Sequence, residues 1–338
     1  MKNLFPVLIF VEIAISILLG INIFKKINIL GVTTINSIRK DDIYFNNLGG
    51  LKYFYEPKPN IKQLEKPDWL GFSVTNIINN DTFNERYDYS IDKPQGVYRI
   101  ITLGDSFTFG AHVNTENNWV ELLEKKLNQE LPCRNINKFE IINLGVPGYD
   151  IQYAIERYRQ RGKKYNPDLI LWFLKDDDFY DITEETQPII KIQREKAKKE
   201  WTYKELDRKE NLTDLARWTN NATQAINKKY GKKKILDFQK NLLDDFLNTL
   251  HTRLFIFGLD NKNNAHLSIT EEEDSIIQGL IRKNRNFFYA NHLFTEYDYT
   301  KDSFFPHDTH FNERGHTLLA DELFHYLIQK NIITCKRD

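Results

Sequence analysis

Short apolar stretches alternate with glycine-rich or acidic turns through the last two thirds of the chain. Five stretches have the length and the β-branched or aromatic content of buried strands: Val97–Leu103, Phe139–Asn143, Asp168–Leu174, Leu254–Leu259 and Phe287–Ala290. Amphipathic helices are predicted between or after them, over Asn117–Leu131, Ile151–Tyr165 and Thr317–Lys330. This alternation predicts a three-layer α/β/α domain, doubly wound, with a mostly parallel five-stranded sheet.

The predicted domain covers residues 97–332 and carries a long helical insertion, about residues 184–248, between its third and fourth strands. The insertion is rich in charge, which indicates a solvated surface; a lid or a partner surface is the alternative. Residues 27–96 are rich in Asn, Pro, Tyr and Asp. We interpret them as a connector that wraps around the domain and carries no chemistry.

A different pattern occupies the N-terminus. Leu4–Phe24 contains 15 Leu, Ile, Val or Phe among its 21 residues, which is about the length that crosses a bilayer. We therefore expect residues 1–26 to form a membrane anchor with one transmembrane helix over residues 4–24. A buried core helix and a cleaved signal peptide are the alternatives, but no small-residue cleavage site follows the apolar stretch.

Composition excludes some classes of function. The chain has 47 basic and 47 acidic residues, so its formal net charge is zero and nucleic-acid binding through bulk charge is not expected. The two cysteines, Cys133 and Cys335, belong to no metal-ligand cluster and do not make a disulfide scaffold.

The turns after the first two predicted strands carry candidate chemistry. Gly104–Ser106 ends the first strand abruptly, and its polar side chains can cap a following helix. A serine there has an exposed hydroxyl beside backbone N–H donors, as a nucleophile requires. Gly145–Gly148 ends the second strand and lets backbone N–H groups approach a ligand closely. Because sites in such folds lie at the carboxyl ends of the strands, we expect Ser106, Gly148 and Asp177 at one edge of the sheet.

A second motif lies near the C-terminus, where residues 306–316 are PHDTHFNERGH. An Asp two residues before a His, as in Asp308 and His310, can orient one ring nitrogen and leave the other free as a base. His307 and His316 add potential metal ligands, but the segment contains neither HExxH nor a cysteine partner, so no metal is expected. His316, at the start of the next helix, is expected to be structural.

These blocks together resemble the GDSL/SGNH hydrolase family over about residues 53–330. LGDSFT resembles its first block, whose serine is the nucleophile, here Ser106. NLGVPG resembles its second block, whose last glycine donates its N–H to the oxyanion, here Gly148. DTH resembles its last block, whose histidine is the base and whose aspartate orients it, here His310 and Asp308.

The chain departs from this pattern at one place. The family's third block has Asn-Asp after the third strand, with the Asn amide as an oxyanion donor, whereas this chain has Asp177-Asp178. An ionised Asp177 cannot donate, and the loss of one oxyanion donor costs about 2.7–4 kcal/mol of transition-state stabilisation in a comparable enzyme. The amides of Ser106 and Gly148 remain as donors, and Asp177 itself donates if burial raises its pKa.

The resemblance implies a serine esterase that cleaves O-acyl esters without a cofactor, on a small molecule or on a glycan or lipid of the cell envelope. Two alternatives stay open: an O-acyltransferase in polysaccharide acetylation, and a catalytically impaired binding or scaffold protein. An envelope substrate favours an exported domain. Basic residues after the N-terminal segment favour a cytoplasmic one; of the two, we expect export.

Overall fold

The structure is a computed structural model of the 338-residue chain. It describes residues 51–65, 70–130, 135–200, 212–259, 269–293, 301–306 and 308–333. The predicted membrane segment, residues 4–24, lies outside these ranges, as do Cys133, Cys335 and His307. Within the described ranges, no helix combines the length and the apolar character needed to cross a membrane.

Five parallel strands form the main sheet: β3 (Val97–Leu103), β4 (Lys138–Asn143), β5 (Leu169–Phe173), β6 (Arg253–Leu259) and β7 (Phe287–Leu293). Their spatial order is β4-β3-β5-β6-β7. The predicted five-stranded sheet is therefore confirmed. The central strand β5 is buried at all five positions, as its continuous apolar sequence requires of a strand covered on both faces.

Helices cover both faces of this sheet. In chain order they are α1 (Ser106–Phe109), α2 (Trp119–Glu130), α3 (Ile151–Arg157), α4 (Asp176–Tyr180), α5 (Thr183–Glu200), α6 (Leu212–Tyr230), α7 (Lys232–Thr249), α8 (Glu271–Ile281) and α9 (Glu313–Gln329). Apolar residues of α2 and α9 pack on one face. Those of α3, α4, α6, α7 and α8 pack on the other, which gives the three predicted layers.

Alternate residues of each strand supply the two cores. On β5, Leu171 and Phe173 join the α2 and α9 side, whereas Ile170 and Trp172 join the opposite side. This is the two-residue period of a β-strand, and burying a large apolar side chain contributes about 1.5–3 kcal/mol.

The helix α7 differs from the expectation for a solvated insertion. Its residues Leu243, Phe246 and Leu247 are buried in the core under the sheet. The segment predicted as an insertion therefore ends with a helix of the α/β layer, because an apolar stripe recurs along α7 beneath its surface charges.

On the side of the edge strand β4 that faces no neighbouring strand, polar side chains accept hydrogen bonds from the backbone N–H groups. The N–H groups of alternate residues on this side donate to side chains: Phe139 to Asn128 Oδ1 at 2.8 Å, Ile141 to Glu124 Oε2 at 2.6 Å, and Asn143 to Glu85 Oε1 at 2.7 Å. Burial raises the pKa of Glu124 to about 7, against the opposing effect of the hydrogen bond from Ile141.

The connector contains regular structure that its sequence pattern did not indicate. β1 (Ile61–Glu65) pairs antiparallel with β2 (Val74–Ile78). The backbone N–H of Ile77 donates to Thr115 Oγ1 at 2.8 Å, which ties β2 to the segment between α1 and α2.

Candidate active site

The first component is the turn between β3 and α1. Asp105 caps α1 by accepting a hydrogen bond from the Phe107 N–H at 2.9 Å. Gly104 has φ of 149°, and a Cβ atom there would lie 2.2 Å from Thr108 Oγ1. Glycine is therefore required for this abrupt turn, which places Ser106 at the carboxyl end of β3 with its side chain partly exposed.

The second component is the loop that leads into α9. Asn312 caps that helix by accepting from the Gly315 N–H at 3.1 Å. Within the loop, the Phe305 N–H donates to the His310 carbonyl at 3.1 Å. The backbone N–H of His310 donates to Asp308 Oδ1 at 2.7 Å, so the acid and the imidazole are held together locally.

The two components meet through the His310 ring. Its Nε2 lies 2.7 Å from Ser106 Oγ, and its Nδ1 is hydrogen-bonded to Asp308 Oδ1. The ring also stacks on Phe107, with centroids 4.8 Å apart. The structure thus brings together Ser106, His310 and Asp308 in an arrangement that can pass a proton from the hydroxyl to the ring.

Asp308 is suited to support a positively charged imidazole. Burial acts to raise its pKa, but the hydrogen bonds and the charge of His310 have a larger opposite effect and lower the pKa to about 2. The carboxylate is therefore ionised at neutral pH and stabilises a proton on the ring.

The turn after β4 contains Gly148, the predicted second oxyanion donor. The Tyr149 N–H donates to the Val146 carbonyl at 3.2 Å across this turn, and Gly148 has φ of 78°. Proline at the second position and a positive φ at the third define a type II turn. Within the described part of the chain, the N–H groups of Ser106 and Gly148 donate to no protein acceptor.

Asp177 lies in the first turn of α4, where its side chain is 48 % exposed. Its Oδ1 is 2.5 Å from Lys175 Nζ. This side chain is not buried, and its carboxylate is paired with an ammonium group.

Lys175 is a part of the site that the sequence analysis missed. Its side chain is 2 % exposed, and its Nζ also lies 2.8 Å from Asp105 Oδ2 and 3.7 Å from Asp178 Oδ1. Burial acts to lower the pKa of Lys175, but the surrounding carboxylates raise it well above its ordinary value. The ammonium therefore joins the turn that carries Ser106 to the turn that carries Asp177.

His112 was also missed. It is buried, with φ of 68°. Its Nδ1 lies 2.8 Å from Glu65 Oε1, and its Nε2 lies 3.8 Å from Asp308 Oδ2. Among the described residues, His112, Asp308 and His310 place potential metal-ligand atoms within 4.8 Å of one another. Both ring nitrogens of His310 already face protein partners, as an acid–base relay requires.

His316 does not join this group and is structural, as expected. It is buried in α9, and its Nδ1 accepts a hydrogen bond from the Trp119 N–H at 3.2 Å. Burial lowers the pKa of His316 to about 3, so the ring is neutral. It fastens α9 to the start of α2.

Comparison with known proteins identifies the family. The sequence profile described as GDSL-like Lipase/Acylhydrolase matches residues 100–323, which is more than half of the chain. The chain belongs to the GDSL-like lipase/acylhydrolase family. Members of this family are hydrolases of ester bonds, and we assign the chain to that class of enzyme.

The chain also matches several solved structures, among them TesA, a lipase/acylhydrolase and an esterase. TesA is 10% identical with a TM-score of 0.43, over 68% of this chain and 98% of TesA. A lipase/acylhydrolase from Enterococcus faecalis is 14% identical with a TM-score of 0.42, over 71% of this chain and 100% of that one. A two-domain esterase active on acetylated mannans is 14% identical with a TM-score of 0.39, over 70% of this chain and 50% of that one. A search of curated proteins found no match.

Proposed function

We propose that this GDSL-like hydrolase cleaves O-acyl esters through Ser106, His310 and Asp308. The observation that carries the proposal is the continuous hydrogen-bonded path from Ser106 Oγ through both nitrogens of His310 to Asp308. Neither a metal nor an organic cofactor has a role in this scheme.

The reaction proceeds in two steps. Ser106 Oγ attacks the ester carbonyl while His310 Nε2 takes the hydroxyl proton, and collapse of the tetrahedral intermediate transfers that proton to the leaving alcohol. Water then attacks the acyl-enzyme, again through His310, and releases the carboxylic acid and the free serine. Asp308, ionised throughout, stabilises the imidazolium of each transition state.

The amides of Ser106 and Gly148 are the proposed donors to the oxyanion. Their support is the family resemblance, together with their lack of any acceptor in the described protein. Asp177 supplies no donor, but its pairing with Lys175 offsets the repulsion that an isolated carboxylate would exert. The replacement of Asn by Asp is therefore compatible with activity.

The proposed substrate is an ester of a glycan or lipid alcohol in the cell envelope. A membrane anchor at residues 4–24 would hold the domain beside it. Family membership supports an ester, and the apolar N-terminal sequence supports the anchor. Acetylated glycans and short-chain lipid esters, offered in parallel, distinguish the two kinds of alcohol. An added acceptor sugar reveals acyl transfer if the acyl group appears on it.

The decisive assay is hydrolysis of p-nitrophenyl acetate by the wild type and by Ser106→Ala. The variant is expected to lose at least about 10³-fold in kcat and to lose labelling by a fluorophosphonate. Ser73→Ala is the matched control, because Ser73 is exposed on the connector. Equal activity of Ser106→Ala and wild type would refute the mechanism. A wild type that neither hydrolyses the ester nor reacts with the probe would favour the scaffold alternative.

A further inference from the structure

A short strap of the connector, residues 51–56, crosses the protein beside the turn that contains Gly148. The N–H groups of Lys52 and Tyr53 both donate to the Glu184 carboxylate, at 2.7 and 3.1 Å. At the other end of the strap, Glu56 is paired with Arg157 and with Arg161, whose Nε lies 2.8 Å away. The backbone on either side of Tyr55 is therefore fixed to the α/β domain.

The turn from Val146 to Tyr149 can in principle adopt two forms. Types I and II differ by a flip of the central peptide, here the one between Pro147 and Gly148. The flip reverses the direction in which the Gly148 N–H points. Glycine accepts the φ of either form at little cost, so the sequence of the turn alone does not secure the N–H direction.

Tyr55 holds this peptide. Its hydroxyl donates to the Pro147 carbonyl at 2.6 Å. A Cβ atom on Gly148 would lie 2.9 Å from the Tyr55 hydroxyl oxygen. The carbonyl of Pro147 and the N–H of Gly148 belong to one planar trans peptide, so they point in opposite directions. A donor that fixes the carbonyl also fixes the N–H on the far side.

We propose that Tyr55 is a positioning residue for the oxyanion site: its hydroxyl fixes the Pro147–Gly148 peptide with the Gly148 N–H turned toward the acyl carbonyl. The inference rests on the proposed function, because Gly148 serves as an oxyanion donor there. The connector, which we interpreted from its sequence as a surface wrap without chemistry, then contributes to catalysis.

The hydroxyl is separable from the packing role of the ring. The Tyr55 ring packs edge-on against Tyr149 at 5.3 Å and also contacts Tyr153, with ring centroids 5.9 Å apart. Tyr149 donates its own hydroxyl to the Tyr55 carbonyl, a backbone contact that substitution of the ring oxygen leaves in place. Tyr55→Phe therefore removes the hydrogen bond to Pro147 and keeps the aromatic cluster.

The test compares Tyr55→Phe with Tyr53→Phe in steady-state ester hydrolysis and in the rate of fluorophosphonate labelling. Tyr53 lies on the same strap, and its hydroxyl has no hydrogen-bond partner among the described residues. Loss of a neutral hydrogen bond shifts a conformational equilibrium by roughly two- to tenfold. We expect kcat and the labelling rate of Tyr55→Phe to fall together by up to about that factor, with KM unchanged.

The outcomes separate the two proposals. Wild-type rates in Tyr55→Phe, with an active Ser106-dependent wild type, would overturn the positioning role and leave the mechanism intact. The positioning role would also be overturned if the melting temperatures of Tyr55→Phe and Tyr53→Phe fell by the same amount, because general loosening of the strap would then be the cause. An inactive and unlabelled wild type would instead remove the proposed function itself.

Discussion

Lys175→Met removes the ammonium group that lies among Asp105, Asp177 and Asp178, and replaces it by an apolar chain of similar length. The side chains of Asp105 and Asp178 are 10 % and 6 % exposed, so water cannot replace the lost partner. Removing one partner of a buried ion pair costs about 3–5 kcal/mol. For a domain of this size the melting temperature should fall by roughly 6–20 °C.

Thermal and urea unfolding followed by circular dichroism measure the loss, and Lys126→Met provides the control. Lys126 pairs with Asp321 at 2.5 Å, but the two side chains are 26 % and 46 % exposed. A pair of that kind contributes about 0–1 kcal/mol. Both variants remove one lysine charge, but only Lys175 is buried. The difference between their losses of unfolding free energy therefore reports the effect of burial.

A double-mutant cycle with Asp105→Asn gives a sharper criterion. The Asn side chain still accepts from the Phe107 N–H but carries no charge. In the wild type, Asp105→Asn should destabilise, because it breaks the pair with Lys175. In Lys175→Met the same change should stabilise, because it removes an unpaired buried carboxylate.

The pH dependence has a definite sign. Burial raises the pKa of Asp178 well above its ordinary value, and the charge of Lys175 acts to lower it. Without Lys175 the pKa of Asp178 rises further, so folding favours the protonated form. Its contribution to stability is present at low pH and is lost as the pH rises through the folded pKa. The deficit of Lys175→Met should therefore be smaller at pH 5 than at pH 8. A deficit below about 1 kcal/mol at pH 8, or an additive cycle with Asp105→Asn, would refute the account.

Two further substitutions test other parts of the structure. Gly148→Ala should lower kcat by about 10- to 100-fold, because φ is 78° and the new Cβ would lie 2.9 Å from Tyr55 Oη; Gly71→Ala, at φ 71° with open space around it, should leave kcat unchanged. Burial raises the pKa of Glu124 from 4.5 to about 7, so ionisation of Glu124 destabilises the folded wild type but not Glu124→Gln. Between pH 5 and pH 8, the free energy of unfolding of Glu124→Gln, measured relative to the wild type, should therefore increase by about 2–3 kcal/mol. A gain that does not depend on pH would contradict this interpretation.

The contacts among Ser106, His310 and Asp308 were predictable because short motifs and one topological rule specify them. Asp308 and His310 are two residues apart, so their contact is local. The contact between His310 and Ser106 spans 204 residues, yet it follows from a parallel sheet that collects the carboxyl ends of its strands at one edge. Spacing and fold class, together with the family resemblance, pointed to these three residues.

Lys175 and His112 were not predictable by the same reasoning. In the sequence, Lys175 is one charge beside three aspartates, a pattern typical of a solvated turn. Its burial depends on how tightly α4 follows β5 and on the position of Asp105 across the sheet. His112 occupies a positive-φ position between α1 and α2, and its neighbours Glu65 and Asp308 come from remote segments. Neither residue has a local pattern that distinguishes it from an ordinary surface residue.

The connector shows why positioning groups escape motif-based inference. A nucleophile or a base must be a particular residue type at a particular turn, which leaves a sequence signature. A group that orients a peptide needs only to reach a carbonyl oxygen, and any segment that crosses the site can supply it. Tyr55 meets that requirement through a strap held by Glu184 and Glu56. Those contacts join residues 51–56 to the domain, so residues 97–332 alone would lack the hydrogen bond from Tyr55 to the Pro147 carbonyl.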